Sequence, residues 1–204
     1  MELIPLITLK KRTILDTDQK TTDTKEIKQL KEDEKIYVLD QDGIEKDKPN
    51  LCLFQNISSK YGLWIDSRPI DLGDVVDSFM AGAASITIRK NLWDKLDIKE
   101  IREITENNVF FEIDIKDADQ MHEKDYILDQ ADGFVIFNDK DFIDSDNKYS
   151  VFLKSICGKN KTYAYESKPE NINYWKNKGA HGLLIDIEKI EGFKKRWQMM
   201  QKSQ

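Results

Sequence analysis

The chain has 204 residues, a formal net charge of -6, 39% hydrophobic residues and 34% charged residues. This acidic balance argues against a nucleic-acid-binding protein, which needs a basic face, and no apolar run is long enough to cross a membrane. The two cysteines, Cys52 and Cys157, form no closely spaced pair, which is typical of a reducing compartment. We expect one domain over residues 1–204, located in the cytoplasm, with a small molecule as its partner.

Short apolar segments recur along the chain at intervals of roughly 20 to 30 residues. Each segment is almost continuously hydrophobic, which is typical of strands that are buried on both faces. The predicted strands cover residues 2–9, 36–40, 62–66, 85–89, 109–114, 133–138, 162–166 and 182–186.

Amphipathic segments with helical spacing lie between these strands. The predicted helices cover residues 24–32, 50–60, 71–80, 97–106, 118–131, 147–157, 169–178 and 188–202. Alternating strands and helices predict parallel strands joined by right-handed crossovers. Eight such units favour a closed (β/α)8 TIM barrel. The rival fold, an open doubly wound sheet, usually has a glycine-rich first turn, and residues 10–17 contain no glycine.

Carboxylates end several of the predicted strands. The segment VLDQDGI, residues 38–44, carries Asp40 and Asp42, which we expect to share one face at the carboxyl end of the strand. Barrel enzymes bind their ligands at the carboxyl ends of the strands, so an acidic ring is expected at that mouth. The alternative is that these side chains cap the helices that follow. The predicted ring consists of Asp40, Asp66, Asp114, Glu166 and Asp186.

Cationic side chains lie close to these strand ends in the sequence, at Arg68, Arg89, Lys90 and Lys116. They could bind one phosphate or carboxylate group of a substrate on the side of the third and fourth strands. The alternative is that they form salt bridges with the neighbouring acids. An acidic ring can also hold a divalent metal ion or an amine, and we expect no other cofactor.

Several of these segments resemble one family of metabolic enzymes. VLDQDGI is similar to the second-strand signature DLDGA of the phosphoribosylformimino-aminoimidazole-carboxamide ribotide isomerases, and MELIPLITL is similar to their first strand. The segment from Lys48 to Lys90 resembles the third and fourth units, including Asn50, Arg68 and the sequence AGA at 81–83. FFEIDIKD resembles the fifth strand. The chain thus resembles the barrels of histidine biosynthesis, the HisA/HisF family, most closely over residues 1–117.

This resemblance implies a (β/α)8 barrel that catalyses an Amadori rearrangement of an aminoaldose phosphate to an aminoketose phosphate. In the family, a carboxylate on the first strand and another on the fifth act as base and acid. Thr8 occupies the first-strand position here, and Asp114 occupies the fifth. Asp114 would be the retained acid or base, with Asp40 or Asp42 replacing the missing partner.

The family holds two substrate phosphates on glycine-rich loops, and this sequence departs from that pattern. The loops after the seventh and eighth predicted strands carry Glu166, Lys168 and Asp186 instead. A phosphate within about 4 Å of a carboxylate would be repelled by about 4 kcal/mol at an intermediate dielectric. We therefore expect the usual substrate with two phosphates to be disfavoured.

Three functions remain open from the sequence. The first is an isomerase of the family's own type. The second is a different small-molecule or metal-dependent enzyme on the same barrel, because a fold alone does not fix a reaction. The third is a non-catalytic barrel that binds a partner protein.

Overall fold

The computed structural model describes residues 1–15, 27, 30–117 and 130–202. Each predicted strand is present, with ends that differ by at most two residues from the predicted ones, and one short strand is added. The strands are β1 (Glu2–Lys10), β2 (Thr13–Leu15), β3 (Lys35–Asp40), β4 (Gly62–Asp66), β5 (Ala83–Ile88), β6 (Asn108–Ile113), β7 (Gly133–Ile136), β8 (Thr162–Tyr165) and β9 (Gly182–Asp186).

Eight of these strands close into a barrel. β1 and β3 to β9 each pair in parallel with the next strand, and β1 also pairs with β9. In that closing pair Glu2 lies opposite Gly182 and Leu6 lies opposite Asp186. The predicted (β/α)8 barrel is therefore confirmed, and the open sheet is excluded because both of its edges would lack a partner.

β2 lies outside the barrel and pairs antiparallel with the end of β1. The two residues between them, Lys11 and Arg12, have positive φ angles of 51° and 62°. Two consecutive left-handed residues make the tight turn that suits a hairpin, although asparagine and glycine are the usual residues there. Because Lys-Arg is not a typical hairpin turn sequence, β2 was not predicted.

Helices alternate with the strands on the outside of the barrel. In the described part of the chain they are α1 (Gln41–Lys46), α2 (Leu51–Ser58), α3 (Leu72–Met80), α4 (Ile98–Ile104), α5 (Lys140–Asp144), α6 (Asn147–Lys159), α7 (Ile172–Lys178) and α8 (Ile190–Lys202). The short helices α1 and α5 were not predicted from the sequence. The helices predicted over 24–32 and 118–131 lie mostly outside the described residues. No helix in the described ranges is long and apolar enough to cross a membrane.

The strands separate two hydrophobic layers because successive side chains point to opposite faces. The layer inside the barrel is built around aromatic residues and consists of Ile4, Leu6, Tyr37, Trp64, Phe110, Val135, Tyr163 and Leu184. The larger layer lies between the strands and the helices and includes Ile7, Ile36, Val38, Ile65, Phe111 and Leu183. This alternation of side chains decides which residue at the end of each strand reaches the mouth.

Candidate functional site

In the part of the chain that the structure describes, two cavities open at the carboxyl ends of the barrel strands. The first mouth cavity has a volume of about 550 Å³ and lies beside β1, β8 and β9. The second mouth cavity has a volume of about 520 Å³ and lies beside β5 and β6. The first is lined by Leu6, Thr8, Leu15, Leu39, Gln41, Phe137, Tyr165, Ser167, Asp186, Glu188 and Lys189. The second is lined by Ile44, Arg68, Arg89, Lys90, Asn91, Glu112 and Asp114.

Asp40 does not belong to the mouth, so its prediction as a member of the acidic ring is wrong. Its side chain is fully buried and faces the helical layer. It accepts hydrogen bonds from the backbone N–H of Asn50 at 2.8 Å, from Asn50 Nδ2 at 2.7 Å and from the N–H of Asp42 at 3.2 Å. Burial raises the pKa of Asp40, against the opposing effect of these N–H donors. Asp40 caps α1 and cannot contact a substrate.

Asp42 does not share a strand face with Asp40, because the chain turns into α1 at Gln41. The Asp42 carboxylate accepts hydrogen bonds from Lys46 Nζ at 2.8 Å, from Asn50 Nδ2 at 3.2 Å and from the N–H of Lys11. The hydrogen bond from Lys46 is the main reason that the pKa of Asp42 falls to about 2. Asp42 therefore ties the β1–β2 turn to α1 and lines neither mouth cavity.

Glu166 also lies behind the barrel wall, which corrects its prediction as a mouth residue. Its carboxylate accepts hydrogen bonds from the backbone N–H groups of Ser167 and Lys168, both at 2.8 Å. It also accepts from Trp175 Nε1 at 2.8 Å and from Asn171 Nδ2 at 3.1 Å. The amides after β8 are thus occupied by the protein's own carboxylate, which leaves them unable to hold a phosphate. Lys168 lines neither mouth cavity.

Asp66 and Arg89 form an ion pair at the mouth, in which Asp66 is fully buried and Arg89 is partly buried. Arg89 donates from Nε to Asp66 Oδ1 at 2.9 Å and from Nη2 to Asp66 Oδ2 at 2.7 Å. Tyr37 donates its hydroxyl to Asp66 Oδ2 at 2.8 Å. The guanidinium of Arg89 lies 5.7 Å from the centre of the Phe137 ring. Since Arg89 lines the second cavity and Phe137 lines the first, this contact separates the two cavities.

The second mouth cavity brings two carboxylates together with several cations. Glu112 and Asp114 lie two residues apart at the end of β6, which places both side chains on the inner face. Asp114 accepts hydrogen bonds from Lys116 N–H and from Asn138 Nδ2, both at 3.0 Å. Glu112 accepts from Lys90 N–H at 3.2 Å and lies 3.5 Å from Arg89 Nη1. The structure thus gathers Asp114 with Arg89 and Lys90 at the second mouth cavity.

Glu112 was missed by the sequence analysis, although the alternation in FFEID places it on the same face as Asp114. Burial is the main cause of its raised pKa, and the charge of Asp66 adds to the effect while Arg89 opposes it. A carboxyl with a raised pKa beside a hydrogen-bonded carboxylate is the arrangement that general acid–base catalysis needs.

Arg68 lies at the rim of the second cavity with a positive φ of 60°. Its Nη1 donates to Asp47 Oδ1 at 2.6 Å and to the carbonyl oxygen of Ile44 at 3.4 Å. Asp47 is itself about half exposed, so this ion pair can open to admit a ligand at little cost.

Thr8 and Asp186 lie in the first mouth cavity, away from Asp114. Asp186 Oδ2 accepts hydrogen bonds from the Tyr165 hydroxyl at 2.9 Å and from Lys189 Nζ at 3.1 Å. Burial is the main cause of the raised pKa of Tyr165, and the charge of Asp186 adds to it. Among the described residues, no three His, Cys, Asp or Glu side chains are arranged to hold a metal ion.

The comparisons with known proteins support the fold of this chain only. No family model matches the chain, and no curated protein matches it in sequence. Among solved structures, it is similar to 3-hexulose-6-phosphate synthase from Salmonella typhimurium, with a TM-score of 0.62 and 11% sequence identity. The match covers 98% of this chain and 99% of that one. At this identity the likeness shows that the chain has a TIM-barrel fold over nearly its whole length.

Proposed function

We infer that the protein is an isomerase that moves a proton within a small anionic metabolite at the second mouth cavity. The observation that carries this proposal is the placement of Glu112, with its raised pKa, beside Asp114 and the three cations of the same cavity. The resemblance of residues 1–117 to the ribotide isomerases of histidine biosynthesis supports the same class of reaction. That particular reaction is one member of the class we propose.

Each group has a defined part in this reaction. Asp114 removes a proton from the carbon next to the substrate carbonyl, and the C–H electron pair forms the double bond of an enediol or enaminol. Glu112 donates its proton to the carbonyl oxygen in the same step. In the second half, the proton held by Asp114 returns to the neighbouring carbon while Glu112 takes back a hydroxyl proton. The substrate and product therefore have the same composition, and both carboxyls return to their starting states.

The cations supply a binding site for an anionic group. Arg68, Arg89 and Lys90 line this cavity and can donate N–H groups to an anionic group of a ligand. Asp66 holds Arg89 in place with two hydrogen bonds, so this guanidinium is oriented before a ligand arrives. The half of the mouth beside β5 and β6 therefore suits a phosphate or carboxylate, whereas the amides after β8 are already filled by Glu166.

Exchange of substrate hydrogen with solvent tests the proposal directly. The protein is incubated in D2O with the family's ribotide and with a panel of aldose phosphates, and deuterium at the reacting carbon is followed by NMR. We expect exchange with at least one of these compounds. Asp114→Asn should slow it by about 100-fold or more, and Glu112→Gln should also slow it, because general acid–base groups contribute factors of this size.

The exposed Glu100 on α4 provides the matched control, since Glu100→Gln removes a carboxylate that does not line the cavity. Its exchange rate should equal that of the wild-type protein. Absence of exchange with every compound at high protein concentration would rule out the proposed isomerase.

A different small-molecule enzyme is the second candidate function. It is favoured by the position of Thr8, which lines the first cavity while Asp114 lines the second, so these two residues do not face each other across one ligand. A thermal-shift screen with divalent ions and with phosphorylated or amine metabolites would identify such a ligand. Stabilisation by a metal ion without isotope exchange would favour this candidate.

A further inference from the structure

Tyr37 lies inside the barrel, next to the Asp66–Arg89 pair. Its side chain is fully buried, and its hydroxyl donates to Asp66 Oδ2 at 2.8 Å. Burial, and then the charge of Asp66, raise the pKa of this hydroxyl well above its usual range. Tyr37 therefore keeps its proton and remains a donor to Asp66, while Arg89 binds the same carboxylate at the mouth.

A second hydroxyl sets the direction of this hydrogen bond. Thr87 Oγ1 lies 3.2 Å from the Tyr37 hydroxyl and accepts the indole N–H of Trp64 at 2.9 Å. Because that oxygen already accepts the indole N–H, its own proton is available to the Tyr37 oxygen, and the Tyr37 proton is directed to Asp66. Tyr37, Trp64 and Thr87 are all 0% exposed, so none of them can exchange its partner for bulk water.

The carboxylate of Asp66 decides where the guanidinium of Arg89 lies. Arg89 donates to Asp66 from Nε at 2.9 Å and from Nη2 at 2.7 Å, whereas its Nη1 lies 3.5 Å from Glu112 Oε1. A guanidinium joined to a carboxylate by two parallel hydrogen bonds follows any rotation of that carboxylate. Since Tyr37 holds one oxygen of the carboxylate, the position of Arg89 Nη1 depends on the Tyr37 hydroxyl.

We propose that Tyr37 is a positioning residue of the second mouth cavity, which fixes Arg89 through Asp66 so that Nη1 meets the anionic group of a ligand. This inference rests on the anion site of the proposed function and assigns a role in it to a residue that lines neither mouth cavity. Tyr37 does not touch the ligand. Loss of its hydroxyl should therefore change the binding of an anion and not the chemical step.

Hydrogen exchange at Arg89 tests this role without any ligand. The rate at which the Arg89 Nε–H group exchanges with water is measured by 15N NMR in the full-length protein, and the signal is identified by its loss in Arg89→Lys. Tyr37→Phe keeps the ring and removes only the hydroxyl. We expect exchange at Arg89 to become about tenfold faster in this variant, because a hydrogen bond to a charged group is worth a factor of this size.

Tyr163→Phe is the matched control. Tyr163 also belongs to the buried layer inside the barrel, but its hydroxyl donates to Glu2 Oε2 at 3.3 Å, at the start of β1. This variant should leave the exchange at Arg89 unchanged. An unchanged rate in Tyr37→Phe, or an equal acceleration in both variants, would overturn the proposal.

Thr87→Val is a second variant, which decides if Tyr37→Phe fails to fold. It removes the oxygen that orients the Tyr37 hydroxyl and keeps the hydrogen bond to Asp66 possible. Exchange at Arg89 should become about threefold faster, a smaller effect than that of Tyr37→Phe. An unchanged rate in this variant would contradict the ordered arrangement of the three side chains.

Inorganic phosphate measures the effect on binding. Phosphate is titrated into each 15N-labelled protein, and we expect its Kd to be about tenfold higher for Tyr37→Phe and unchanged for Tyr163→Phe. In the deuterium-exchange assay, Tyr37→Phe should raise the substrate concentration for half-maximal rate and leave the maximal rate within about twofold. A lower maximal rate with unchanged affinity would contradict a positioning role.

The two proposals fail in different ways. If the wild-type protein does not bind phosphate, the anion site of the proposed function is wrong, and the ligand-binding part of this inference is wrong with it. If phosphate binds equally well to wild type and Tyr37→Phe, and exchange at Arg89 is unchanged, only the positioning role of Tyr37 is wrong.

Discussion

Asp40 and Asp66 each end a strand, yet their side chains lie on opposite sides of the barrel wall. The parallel register pairs Tyr37 with Trp64 and Leu39 with Asp66. The side chain of Asp66 therefore points into the barrel, and that of Asp40 points outward. A shift of one residue reverses the face on which a side chain lies. Asp40 therefore caps a helix, while Asp66 orients Arg89 in the mouth.

Removal of the Asp40 carboxylate should lower stability without directly affecting the mouth. Asp40→Ala removes the cap of α1, leaves the buried backbone N–H of Asn50 unpaired and leaves Asn50 Nδ2 with only its longer hydrogen bond to Asp42, so we expect a loss of about 2–4 kcal/mol in the free energy of unfolding. Urea denaturation measures this change.

Asp71 is the matched control for Asp40, because it caps α3 from an exposed position. Asp71→Ala should cost only about 1 kcal/mol. Equal losses for the two variants would contradict a special role for the buried network around Asp40.

The raised pKa of Glu112 predicts a pH dependence of stability. The folded protein holds this proton to a higher pH than the unfolded chain, where the pKa is near the ordinary 4.5. The contribution of Glu112 to stability is therefore lost as the pH rises from about 4.5 through the raised pKa. Glu112→Gln removes this loss, so the free energy of unfolding of the variant, relative to wild type, should increase between about pH 4 and pH 7.

Urea denaturation of both proteins across this pH range measures the difference. A relative stability that stays constant, or that decreases as the pH rises, would show that burial does not favour the protonated form of Glu112.

At the scale of single elements, α1 shows why a short helix is not predicted from the sequence pattern. It has only six residues, and its glycine, Gly43, lowers its intrinsic helix propensity. Gly43 is required by packing, because an added Cβ would lie 2.5 Å from the carbonyl oxygen of Ser67. The tertiary contact between α1 and the segment after β4 therefore selects the residue that the isolated helix disfavours.

Substitution of this glycine tests that explanation. Gly43→Ala should destabilise the protein by about 1–3 kcal/mol, since the backbone of Ser67 must move, despite the better helix propensity of alanine. Thermal denaturation measures the change.

Gly158 in α6 provides the control, because nothing lies within 4 Å of an added Cβ there. Gly158→Ala should stabilise the protein by about 0.5–1 kcal/mol. Stabilisation in both variants would mean that Gly43 is not needed for close packing.

At the scale of the whole molecule, the barrel is filled by an aromatic cluster below the mouth. Trp64 is fully buried at its centre, with its ring centre 4.0 Å from that of Phe110 and 4.9 Å from that of Tyr163. Its Nε1 donates to Thr87 Oγ1 at 2.9 Å, and the Tyr37 hydroxyl lies 3.2 Å from the same oxygen. This cluster supports the Asp66–Arg89 pair from below and joins strands on opposite sides of the barrel.

Truncation of Trp64 should therefore affect the stability of the entire barrel. Trp64→Ala leaves a large cavity among side chains from several strands, and we expect a loss of about 3–5 kcal/mol in the free energy of unfolding. Urea denaturation followed by circular dichroism measures this loss. Trp197 on α8 is only partly buried, and Trp197→Ala should cost about 1 kcal/mol. A similar loss in both variants would contradict the central position of Trp64.

The sequence by itself determined the strands, most of the described helices and the barrel. Apolar periodicity and strand–helix alternation are properties of short segments, so they do not depend on tertiary contacts. It also named Asp114, Arg89 and Lys90 as candidate residues of the mouth. Only the tertiary structure decided that Asp40 and Glu166 face the helices, that Glu112 joins Asp114, and that Arg89 and Phe137 divide the mouth into two cavities. These outcomes depend on the register between neighbouring strands and on long-range hydrogen bonds, which connect residues that are distant along the chain.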